Sequence, residues 1–230
     1  MTRAGAGVLV ALALAAAIGL RGARLGERPM HHDEANQAIK FGVLLERGHY
    51  RYDYRDHHGP TLYYLTLPSA WLGGRQTLAS LDEVTLPRVP VVFGAATILL
   101  LPLLSAGLGR TATAAAAVLM ALSPAMVYYS RMFIQEALFA FFVLVFVIAV
   151  GRIATTGGRT WWILAGGAAG LAAATKETAA IVLPAAVLAC ALAWRPRGSV
   201  QPPRARTDGR CRASALRGGA VAFVLAAIFY

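Results

Sequence analysis

The segment MHHDEANQ sets His31, His32, Asp33 and Glu34 side by side at the start of a run with helical spacing. A carboxylate held there can serve as a general base at a membrane surface. The plainer reading is a solvated turn whose acids favour the positive end of a helix. Metal ligation is a third reading, and it suffers because four consecutive residues cannot all face one ion. Two other places pair acids with cations. SRMFIQE carries Arg131 and Glu136, and ATKETA carries Lys176 and Glu177. Charges at the ends of apolar helices are also tolerated as simple interface snorkels. If the fold brings the three places to one side, they form a pocket for an anion and a base.

The elements that must do this are apolar. Of the 230 residues, 57% are hydrophobic and 14% charged, against roughly 25% charged in soluble domains, which argues against a soluble globular protein. The 22 Lys and Arg outnumber the 11 Asp and Glu, for a formal charge of +11. In a soluble chain that excess would suggest nucleic acid. Here the basic run from Arg195 to Arg217 has no interleaved aromatics, so attraction to anionic headgroups accounts for it and nucleic-acid binding is not expected. Cys190 and Cys211 lie in different environments and suggest no disulfide.

Apolar runs lie near residues 4–20, 86–108, 111–129, 134–150, 161–175 and 178–194, with a seventh over 218–230. A bilayer span needs about 20 apolar residues, so the chain reads as an all-α polytopic membrane protein with about six complete spans. The seventh run would reach only about 20 Å and reads as a truncated span. The first run is compatible with a signal peptide or an uncleaved anchor. Arg110, Arg152, Arg159 and the 195–217 loop fall on one side, which sets the N-terminus inside and residues 21–85 outside the cell membrane by the positive-inside rule. Trp161, Trp162 and Trp194 then read as belt residues, and Gly166 with Gly170 as a site of close helix packing.

The outer segment concentrates the titratable chemistry. Residues 21–88 hold all five histidines and eight of the 11 acids: Glu27, Asp33, Glu34, Glu46, Asp53, Asp56, Asp82 and Glu83. Residues 33–46 predict a helix with Ala35, Ala38, Ile39, Gly42 and Leu45 on one stripe, lying in the membrane interface. Residues 61–72 predict a second interfacial helix, with Tyr63, Tyr64 and Trp71 as headgroup anchors.

Taken in order, HHDEA, HGPTLYYLTLP, SRMFIQE and GLAAATKETAAIVLP resemble the membrane-embedded GT-C glycosyltransferases. The likeness is to the family 39 type, with protein O-mannosyltransferases and aminoarabinose transferases, and closer still to the flippase-associated proteins of archaeal N-glycosylation and their bacterial relatives. It covers the chain from the first span to the sixth, so residues 1–230 read as one GT-C-like transmembrane module. The resemblance implies inverting transfer of a sugar from a polyprenyl-phosphate carrier to a lipid, glycan or protein acceptor on the outer face.

By position in the motifs, it makes Asp33 the base, with Glu34 orienting the acceptor or the base, and Glu136 the second acid, supporting the acceptor site or a metal. Arg131 and Lys176 become phosphate clamps, with His57 or His58 assisting. The HGP segment stands where relatives carry Lys-Pro, and a neutral imidazole holds phosphate less firmly unless the anion raises its pKa. No cofactor is implied, and a divalent metal ion stays open because members of the superfamily differ. Two other functions remain in view: a non-enzymatic membrane protein assisting translocation of lipid-linked sugars, and a secondary transporter using the outer acids and histidines as a proton relay. Against the transporter, no charge sits in mid-span.

Overall fold

The structure is a computed structural model that describes residues 1–52 and 58–193. His57, Trp194, Cys211, the basic 195–217 loop and the 218–230 run lie outside the described residues. Within them the regular structure is helical, apart from an antiparallel bridge between His58 and Lys176.

Helix α1 (Arg3–Gly22) is capped by the Thr2 hydroxyl, which accepts the Gly5 N–H at 3.1 Å. The outer segment supplies α2 (His32–Arg47) and α3 (Thr61–Leu72). Then follow α4 (Arg88–Leu108), α5 (Arg110–Leu122), α6 (Pro124–Ser130), α7 (Glu136–Thr156), α8 (Arg159–Ala173) and α9 (Ala179–Ala193). The helices α1, α4 and α7 are long and apolar enough to cross a membrane, and α5 and α6 reach that length and apolarity only as a pair, with a bend of 58° between them. At 15 residues each, α8 and α9 rise only about 22 Å.

Helix α7 is the centre of the bundle, with Leu138, Val143 and Ala149 all fully buried, and α4, α8 and α9 pack on it. Helix α1 lies against α4 and α5. Where α4 meets α6, a Cβ at Gly94 would stand 2.4 Å from the Ser130 Cβ, so only glycine fits that approach.

Several sequence expectations change. The run 111–129 is two helices, because Ser123 caps and Pro124 opens a new one. The next span starts at Glu136 rather than residue 134 and continues to Thr156. In α2 the buried face is Glu34, Gln37, Ala38, Phe41, Gly42 and Leu44, and Ile39 is exposed. The apolar stripe misplaces this face because two inward polar groups find partners inside. Tyr63 is no headgroup anchor: it is fully buried and donates to the Gln37 side chain, whereas Tyr64 and Trp71 are exposed. Gly166 and Gly170 face open space, since α8 packs through Ala165, Ala168 and Ala172 on its other side. Trp161 is half-buried beneath the Arg152 guanidinium, 5.6 Å from its ring, whereas Trp162 keeps the exposure of a belt residue.

Candidate functional site

The end of α1, the start of α2, the start of α3, the α6–α7 turn and the α8–α9 turn all meet at one end of the bundle. Residues 131–136 are the hub. Within one short turn, the Arg131 carbonyl accepts from Arg28, the Phe133 N–H donates to Glu34, the Gln135 amide donates to Gln37, and Glu136 accepts from Lys176.

On the α2 side the two neighbouring acids are separated by burial. The Asp33 side chain is 65% exposed and the Glu34 side chain 3%. Glu34 accepts from both Arg28 Nη atoms at 2.6 and 2.7 Å, from the His31 N–H at 3.0 Å and from the Phe133 N–H at 2.8 Å. With the His31 ring accepting the Asp33 N–H at 3.3 Å, this forms a capping box. Burial alone would push the Glu34 carboxyl up, but the guanidinium and two backbone N–H groups hold it below its usual 4.5. Glu34 is thereby committed to fixing the helix end that presents Asp33.

On the other side, Lys176 Nζ stands 2.8 Å from Glu136 Oε1, both partly exposed. Glu136 is the first residue of α7, where the helix dipole favours a carboxylate. Its Oε2 has no hydrogen-bond partner among the described residues. A strap formed by residues 58–61 lies across the α8–α9 turn. The Gly59 N–H donates to Thr175 O at 3.3 Å, while the Thr61 N–H and hydroxyl both donate to Ala174 O at 3.3 and 2.7 Å. This sets His58 beside Lys176. Burial pushes the His58 imidazole down from 6.5; Lys176 and Lys40 push the same way, against Glu177 and Glu136. This lowering favours the neutral ring, which offers a dipole rather than a charge.

Arg131 has another role in this structure. Its Nη atoms donate to Leu20 O at 3.1 Å and Arg24 O at 3.3 Å, capping the end of α1. Lys176 instead stands beside Glu136 and His58. Among the described residues, no three His, Cys, Asp or Glu side chains gather as metal ligands.

Sequence reading missed the buried Gln37–Tyr63–Gln135 network, which joins α2, α3 and the hub. It also missed Arg28, whose partner lies six residues away. One turn beyond the strap, Leu65, Val92, Phe93, Phe141, Phe142 and Leu171 line an apolar groove of about 360 Å³.

Gly59 is the tightest point of the strap. A Cβ there would fall 2.0 Å from the Ala174 carbonyl oxygen. Gly59→Ala is therefore expected to lift the strap, costing about 1–3 kcal/mol of stability. Thermal unfolding of the purified variant measures this, and an unchanged Tm would show that the strap is not held at this point.

A family model described as dolichyl-phosphate-mannose-protein mannosyltransferase matches residues 70–205, more than half of the chain. No curated protein matches. Among solved structures, the chain is similar to the archaeal oligosaccharyltransferase AglB from Archaeoglobus fulgidus, solved in complex with an inhibitory peptide and a dolichol-phosphate. The TM-score is 0.65 at 17% identity, covering 97% of this chain and 29% of that one. That likeness is one of fold, and this chain spans less than a third of the length of AglB.

Proposed function

The chain belongs to the dolichyl-phosphate-mannose-protein mannosyltransferase family, and from that membership we propose that it is a membrane glycosyltransferase taking a sugar from a polyprenyl-phosphate carrier. Transfer takes place on the outer face and inverts the anomeric carbon. The observation that carries the reading at the site is the division of the HHDEA acids, one buried as an anchor and one exposed beside the His31 ring.

In this reading Asp33 takes the proton of the attacking acceptor group. Glu34 and Arg28 hold the helix end that aims it. Lys176 balances the charge that develops on the departing lipid phosphate, as a point charge with three donors, one of them given to Glu136. Glu136 steadies Lys176 through its Oε1, and His58 supplies a further polar contact. The apolar groove suits the first units of an isoprenoid tail. Residues 21–85 stand outside the cell membrane, with the N-terminus inside.

The test is transfer of labelled sugar from polyprenyl-phosphate donors in membranes holding the full gene product, with Lys176→Met alongside. Sugar transfer is expected, with the donor KM raised at least about tenfold in the variant. Donor binding without transfer from any carrier would overturn the enzymatic reading in favour of assisted translocation.

A further inference from the structure

The bent span leaves two carbonyls without helical donors. Pro124 has no N–H, so the Met120 carbonyl four residues earlier loses its partner. Across the 58° bend the Ser123 and Val127 N–H groups bond to Leu119 O and Ser123 O, and among the described residues no backbone N–H across the break reaches the Ala121 carbonyl. Unsatisfied backbone groups are costly where no water reaches them. Arg21, in the last turn of α1 and 0% exposed, fills this gap. Its Nη2 donates to Met120 O at 3.0 Å and its Nη1 to Ala121 O at 3.1 Å. A buried arginine is thus spent on the break in another helix, 100 residues away in the chain.

The exchange is mutual. Beyond the bend, Arg131 donates to Leu20 O and Arg24 O at the end of α1. Each helix end is capped by an arginine next to the other. Gly94 leaves the room this needs, since a Cβ there would lie 3.4 Å from Arg21 Nε as well as against Ser130. The direction of α6 fixes where residue 131 begins, and the hub that follows holds Glu34, Gln37 and Lys176.

We infer that Arg21 is a positioning residue of the transfer site: by capping the Met120 and Ala121 carbonyls it holds the span bent, and the bend sets the place of the 131–136 turn. Its effect on transfer rests on the glycosyltransferase reading; its effect on the turn does not.

The test uses the full chain in lipid nanodiscs, with Arg21→Met, Arg21→Lys, Pro124→Ala and the double variant Arg21→Met/Pro124→Ala. The readouts are amide hydrogen exchange over residues 131–136, thermal stability, and kcat and KM for donor. Arg21→Met is expected to speed exchange of the Phe133 N–H at least about tenfold and to lower kcat at least about tenfold, with donor KM within about twofold. Arg21→Lys keeps the charge but loses the two-pronged fork, so it falls between wild type and Arg21→Met.

In the double variant, the alanine introduced at position 124 supplies the missing N–H to Met120. Stability then returns towards wild type while turnover stays low, because the span has straightened. If Arg21→Met does not fold, the double variant carries the same test through its exchange rate and turnover. Wild-type exchange over 131–136 in either variant would overturn the inference, as would a double variant no more stable than Arg21→Met. Absence of transfer by the wild type with every donor would instead count against the glycosyltransferase reading, with exchange and stability still deciding the role of Arg21.

Discussion

Asp33→Asn lowers turnover by about 10²–10⁴-fold while leaving the donor KM within about twofold, as expected for loss of a general base. The amide keeps the size of the carboxylate and cannot take a proton. Because the side chain is 65% exposed and makes no buried contact, stability should stay within about 0.5 kcal/mol of wild type. That combination separates chemistry from folding. Initial rates over a donor series, beside a melting curve, measure both. Unchanged turnover would remove Asp33 from the base position. A parallel fall in turnover and stability would make it a structural residue of the α2 terminus.

Glu34→Gln has the largest expected effect on stability. The change leaves Arg28 facing a neutral amide, and it turns one acceptor oxygen into an NH₂ among groups that all donate. Breaking a buried ion pair from one side costs about 3–5 kcal/mol, and the partial exposure of Arg28, 26%, favours the lower end. The wild-type pH profile follows from the same contacts. The Glu34 carboxyl is held below 4.5 in the folded protein, so its stabilisation is complete above that value and is lost as the pH falls through the folded pKa. The gap between wild type and Glu34→Gln should therefore be widest near neutral pH and narrow below pH 4.5. Melting curves across that range decide it, and a gap independent of pH would mean that the carboxylate charge contributes nothing.

The all-helical, apolar character of the chain was readable from composition and run length, because a bilayer imposes apolar segments of nearly fixed size; the expected six complete spans were not, since among the described residues three helices, or four with the bent pair, are long and apolar enough to cross. The ends of α3 were placed to the residue, and the meeting of Glu136 with Lys176 follows from both standing at helix ends on one side. What escaped was the direction of polar side chains. Gln37 and Glu34 sit on a helix whose apolar count alone would turn them outward, yet they face in because partners about 100 residues away await them. Arg131 likewise carries the charge of a phosphate ligand, and nothing local announces its bonds to the carbonyls of Leu20 and Arg24. Local patterning reports the hydrophobic stripe of a helix; it is silent on donors and acceptors brought by distant segments.

The strap also sets an order of assembly. Thr61 bonds to a carbonyl 113 residues further along, and a ribosome adding ~5–20 residues per second needs about 6–23 s to make that stretch. During this interval residues 58–61 wait at the surface without their partner, while the helices from α4 to α8 are inserted. The contacts around Lys176 are consequently completed late, after α8 and its following turn have emerged. A nascent chain arrested before residue 174 would carry Asp33 and Glu34 without the contacts of residues 58–61, so the proposed site is a property of the assembled bundle rather than of the outer segment alone.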